Sequence, residues 1–120
     1  MRKILLVDDE PDVIDVIKNR LEQNEFEVII ANDGEEALHK LKSDKPDLVV
    51  LDVSMPVISG YEVCARIKHN RDYSHIPVLM LTARIKYTDR KVAQKCGADS
   101  YIPKPYSSEL LIDEVNKFLN

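Results

Sequence analysis

A cluster of acids, a hydroxyl and an ammonium recur where the chain has just left an apolar run. Asp8, Asp9 and Glu10 follow Ile4-Leu5-Leu6-Val7, Asp52 follows Leu48–Leu51, Thr82 follows Val78–Leu81, and Lys104 follows a short stretch at Ser100–Ile102. Taken singly, each has an ordinary role. Asp8 or Asp9 ahead of Pro11 could cap a helix, and Asp52 before Met55-Pro56 could sit in a turn. Thr82 could cap another helix, and Lys104 could be a solvated charge. Taken together they define a chemistry. Two carboxylates about 4 Å apart repel by roughly 4 kcal/mol at an effective dielectric near 20. Asp8, Asp9 and Asp52, with Lys104 alone to compensate, call for a hard divalent cation. Magnesium fits, because it takes oxygen ligands and commonly bridges carboxylate and phosphate. Phosphoryl transfer needs an in-line nucleophile and stabilised equatorial oxygens. A carboxylate can be that nucleophile, giving an acyl phosphate. The metal would hold one phosphoryl oxygen, the Lys104 ammonium a second and the Thr82 hydroxyl a third.

Such a constellation requires elements that deliver all these groups to one place. The four runs Ile4–Val7, Val28–Ala31, Leu48–Leu51 and Val78–Leu81 are short, continuous and rich in β-branched residues, as strands buried on both faces are. Helical periods separate them. Val13, Ile14, Ile17 and Leu21 form one stripe, Ala37, Leu38 and Leu41 a second, and Tyr61, Cys64 and Ile67 a third. Val92, Ala93 and Cys96 indicate a fourth helix ending at Gly97. A fifth strand is expected at Ser100–Ile102, and a last helix carries Leu111, Ile112, Val115, Phe118 and Leu119. The order is β-α five times, an α/β three-layer domain with a parallel sheet. In open sheets of this kind ligands bind beyond the carboxyl ends of the strands. That is where the chemistry-bearing residues fall.

Size and composition set the bounds. The 120 residues suit one domain spanning 1–120, and 44% hydrophobic with 32% charged residues argues against disorder. No apolar run approaches the ~20 residues of a membrane span. The start is too short for a signal peptide, so a cytoplasmic protein with no membrane association is expected. Net charge is −4 with the cations scattered, which disfavours direct nucleic-acid binding. Cys64 and Cys96 stand far apart in no CxxC pattern and read as small buried hydrophobes. His39, His69 and His75 share no metal-ligand spacing with them.

Four stretches, ILLVDDEPDV, PDLVVLDVSMPVISG, PVLMLTA and GADSYIPKPY, resemble the response-regulator receiver domains of two-component signalling over the whole chain. The resemblance implies a flavodoxin-like strand order 2-1-3-4-5. It implies that Asp52 is the phosphorylated aspartate and that Asp8 and Asp9 are the magnesium-binding acids. Asp9 and the Ser54 carbonyl would be direct ligands, and Asp8 would act through water. Thr82 and Lys104 match the family's phosphate-contacting hydroxyl and amine, Tyr101 its switch aromatic, and Lys104-Pro105 its cis peptide. Ser54 and Arg84 occupy positions that influence phosphate lifetime. The family's donor is a histidine kinase or histidine phosphotransfer protein. Its output is a change in the face formed by the fourth helix, fifth strand and fifth helix, offered to a downstream effector or to an output domain beyond this chain. Such a domain is a signalling switch rather than a stand-alone enzyme.

Three rivals share parts of this pattern. Aspartyl-phosphate hydrolases place their nucleophile after strand one in a DxD arrangement with a cap domain, whereas here the acids are adjacent and the chain is short. Mononucleotide binders of the same topology need a Ser/Thr/Gly-rich loop after strand one, not Asp8-Asp9-Glu10-Pro11-Asp12. The third is a non-phosphorylated receiver-like interaction module. Such modules usually lose the acids or the lysine, and all five site residues are present.

Overall fold

A computed structural model describes residues 1–82, 95–104 and 106–119. Strands β1 (Lys3–Val7), β2 (Glu27–Ala31), β3 (Leu48–Asp52), β4 (Val78–Thr82) and β5 (Ser100–Pro103) form one parallel sheet in the order β2-β1-β3-β4-β5. Helices α1 (Pro11–Gln23), α2 (Gly34–Asp44) and α3 (Gly60–Lys68) and a C-terminal helix (Ser108–Leu119) complete the described elements. The strand order and layering are those expected of the flavodoxin-like architecture.

Alternation along the strands builds two cores. Ile4, Leu6, Leu48, Val50, Leu79, Leu81 and Ile102 face α1 and the C-terminal helix. Leu5, Val7, Val49, Leu51, Val78 and Met80 face α2 and α3. Because both faces are covered, β1, β3 and β4 carry no polar residue between their apolar ones. Fully burying each such side chain contributes about 1.5–3 kcal/mol. The sequence stripes are the buried faces: Ile14, Ile17 and Leu21 of α1, Ala37 and Leu41 of α2, Cys64 and Ile67 of α3.

Two expectations meet a different outcome, and part of a third lies outside the described residues. Val28, Ile29 and Ile30 of β2 are only half-buried, because β2 is the sheet's edge and lacks a neighbour on one side. Phe118 lies 37% exposed on the outer side of the C-terminal helix, while Leu111, Ile112, Val115 and Leu119 are buried. Val92 and Ala93 of the expected fourth helix lie outside the described residues. The end foreseen for it is visible: Gly97 takes a left-handed φ of 86°. Among the described residues no helix is long and apolar enough to cross a membrane.

Candidate functional site

Register brings the acids together. Val7 pairs with Leu51, so the next residue of each chain segment, Asp8 and Asp52, emerges at the same level of adjacent strands. Leu81 pairs with Asp52, which puts Thr82 one step along on the following strand. The Lys104 backbone N–H donates to the Thr82 carbonyl at 2.6 Å, fixing the lysine's origin beside it. Among the described residues the buried polar side chains are Asp8, Asp52 and Thr82, all at this carboxyl rim.

Asp52 is 1% exposed. Its Oδ1 accepts from Lys104 Nζ at 3.0 Å and, more weakly, from the Ser54 N–H at 3.4 Å. Asp8 Oδ1 accepts from the Glu10 N–H at 3.0 Å. The second oxygen of each, Asp8 Oδ2 and Asp52 Oδ2, is buried with no hydrogen-bond partner among the described residues. Buried carboxylate oxygens are rarely left so, since an unmet acceptor costs about 1–3 kcal/mol and more when charged. The strain is visible in Asp8, whose carboxyl is pushed up from 3.8 to about 6. Burial is the main cause and the Asp52 charge adds to it, against the Glu10 N–H and Lys104.

Asp9 and Glu10 are exposed, and ligand atoms of Asp8, Asp9 and Glu10 lie within 4.8 Å of one another. The crowding is therefore carried by the buried pair Asp8 and Asp52, with Asp9 at the mouth. The ordinary helix-cap reading of these acids does not hold. The N-cap of α1 is Glu10, it makes no side-chain capping bond, and Pro11 starts the helix. An all-oxygen donor set with two unmet buried carboxylate oxygens fits a hard divalent cation.

The loop from Asp52 to α3 is shaped by close approach. Gly60 N–H donates to the Val53 carbonyl at 3.0 Å, and a Cβ on Gly60 would stand 2.2 Å from the Asp52 carbonyl oxygen. No side chain fits there without moving the strand end that holds Asp52. The Ser59 side chain accepts from the Glu62 N–H and starts α3 at that point. Val57, by contrast, is 93% exposed in a left-handed backbone with φ of 68°, an unfavourable state for a β-branched residue. Nothing in the structure explains that choice of residue.

Tyr101 is half-buried on β5 opposite Met80, against the α2–α3 core. Arg84 and Pro105 lie outside the described residues. One neighbour was missed from the sequence. Tyr106 packs against the α1-side core, and its hydroxyl is pushed up to about 12, first by burial and then by the charges of Asp8 and Asp52. Its place two residues after Lys104 was the available signal.

The chain belongs to the response regulator receiver domain family, whose sequence model matches residues 4–116. It is 43% identical over 106 residues to the alkaline phosphatase synthesis transcriptional regulatory protein PhoP of Bacillus subtilis, covering 88% of this chain and 43% of that protein. The receiver domain of a signal transduction histidine kinase from Syntrophus aciditrophicus superposes with a TM-score of 0.94 at 34% identity, over 99% of this chain and 90% of that one. The receiver domain of the Pseudomonas aeruginosa sensor histidine kinase PA1611, with a magnesium ion coordinated in its active-site cleft, gives 0.90 at 26% identity over 98% and 97%. The chain spans about half the length of the curated relatives it matches. It is a receiver domain of the kind found in two-component systems, a class of signalling switch.

Proposed function

We propose that the domain accepts a phosphoryl group on Asp52 from a histidine kinase or phosphotransfer protein, in a magnesium-dependent reaction. The observation that carries this is the pair of unmet buried oxygens, Asp8 Oδ2 and Asp52 Oδ2, beside a lysine already paired with Asp52. Asp52 Oδ2 is the nucleophile, oriented because its other oxygen is held by Lys104 and the Ser54 N–H. Asp8, Asp9, Asp52 and the Ser54 backbone carbonyl would hold the metal, Asp8 through water. When bound, magnesium would offset the carboxylates' charge and polarise a phosphoryl oxygen. Lys104 neutralises a second phosphoryl oxygen as its bond to Asp52 gives way, and the Thr82 hydroxyl donates to a third. Thr82 follows that oxygen, and the space it leaves lets the half-buried Tyr101 ring turn inward. This changes the face that includes β5 and the C-terminal helix, and a downstream effector or output domain reads it. The domain takes no direct part in nucleic-acid or membrane binding.

The magnesium ion coordinated in the PA1611 receiver supports the metal assignment by similarity. The rival reading, an interaction module that is never phosphorylated, has no observation in its favour, since a module without this chemistry gains nothing from unmet buried acids. The test is Asp52→Asn with acetyl phosphate and magnesium. Wild type should gain a hydroxylamine-labile phosphoryl group and the variant should gain none. A labile adduct of equal yield on the variant would put the acceptor elsewhere.

A further inference from the structure

Cys64 and Cys96 stand 32 positions apart, and the fold brings them into contact. Cys64 is fully buried and Cys96 is 4% exposed, both in the core between the sheet and α3. The Cys64 thiol donates to the Cys96 carbonyl oxygen at 3.6 Å, and each thiol shifts the titration of the other, Cys64 upward and Cys96 downward. Neither is in a disulfide. The contact is braced close by. A Cβ on Gly97 would lie 3.1 Å from Lys68 Cβ, so the chain just after Cys96 packs on a side chain one helical turn beyond Cys64. Lys68 is itself ion-paired with Asp99 at 2.7 Å. Packing alone would be served by any small apolar residue, yet both contacting positions carry sulfur.

We propose that Cys64 and Cys96 are a redox pair that closes to an intramolecular disulfide when a peroxide supplies the oxidising equivalents. Cys96 is the attacking sulfur. Its thiol is lowered from the ordinary value, first by the Cys64 thiol and then by the Ala98 N–H, against burial. Cys64, the hydrogen-bond donor of the pair, is pushed up. The Cys96 thiolate attacks a peroxide oxygen, the O–O bond breaks, and the released hydroxide picks up a proton as water. The Cys64 sulfur then attacks the Cys96 sulfenic sulfur. The S–S bond forms, the S–OH bond breaks, and the hydroxide leaves as a second water with the Cys64 proton. Two electrons pass from the sulfurs to the peroxide. The product clamps α3 to the segment entering β5, at the rim away from Asp8 and Asp52, and is independent of how those acids act.

The experiment treats the folded, reduced chain with hydrogen peroxide, alkylates it in denaturant, and reads intact mass and a peptide map. Wild type should lose two hydrogen atoms, take no alkyl label at either cysteine, and yield a Cys64–Cys96 linked peptide that dithiothreitol releases. Cys64→Ser should instead accumulate sulfinic acid at Cys96, and Cys96→Ser should keep its remaining thiol reduced. The wild-type result stands by itself if a serine variant misfolds. Two labelled cysteines after treatment, a link between separate chains, or a disulfide that forms only in urea would each overturn the proposal.

Discussion

At the amino rim of the sheet, the Lys68 ammonium meets Asp99 at 2.7 Å and the carbonyls of Ser74 and Ile76 at 3.0 and 2.8 Å. Asp99 Oδ2 also accepts from the Val78 N–H, and Asp47 Oδ2 from the Lys3 N–H, so these charges tie loops to strand starts. At the carboxyl rim, Lys104 meets one oxygen of Asp52, and two buried carboxylate oxygens have no partner among the described residues. Similar residue types do opposite work. Where the polar groups complete one another, they close the fold. Where they are left unmet, the fold tolerates a cost that a ligand can relieve. Unmet buried charge, rather than charge itself, separates a binding site from a brace.

The comparison can be broken from either side. At the carboxyl rim, magnesium at a hundredfold excess over its Kd should stabilise the domain by about 2.7 kcal/mol. Thermal melts should show that shift in wild type and lose it in Asp9→Asn.

Without metal, Asp8→Asn should stabilise the domain by about 2 kcal/mol at neutral pH, since it removes a carboxylate that burial and Asp52 disfavour. The sign follows from the proton. Unfolded, Asp8 ionises near 3.8, and folded it holds its proton up to about 6. Its contribution to stability is therefore complete below 3.8 and is lost as pH rises to about 6, with no further change above. Melts in EDTA should show the variant's advantage growing across that window, and an advantage independent of pH would remove Asp8 from the account. At the amino rim, Lys68→Met should cost about 1 kcal/mol, because it removes the shared partner of Asp99 and two carbonyls at a half-exposed corner. Urea denaturation measures this, and an unchanged midpoint would reduce the brace to an ordinary surface charge. The smallest effect belongs to neither rim. Arg66 and Glu62 form an exposed i,i+4 pair on α3 at 3.1 Å, and Arg66→Ala should change stability by less than about 0.5 kcal/mol.

Local pattern was enough to reveal the elements and the rim. Short apolar runs rich in β-branched residues suit strands of a sheet covered on both faces, and helical stripes at three and four residues can bury one face only. Asp8, Asp52, Thr82 and Lys104 were thus legible as groups issuing from strand ends. What the run pattern lacked was neighbourhood. It treated β2 like its companions, although an edge strand with the same composition is covered less. It treated Asp8 and Asp9 alike, although β1 directs the first into the protein and the second outward.

Other contacts depended on tertiary structure for the same reason. Cys64 beside Cys96, Lys68 beside Asp99 and Tyr106 beside two acids all join segments brought together only by the crossing of helices over the sheet. Periodicity is imposed by each segment's own backbone geometry and by water, so the sequence alone determined the alternation of strands and helices and the polar residues at their ends. Which buried charges find a partner depends on distances between segments remote in the chain. That was decided only when the sheet and its two helical layers closed.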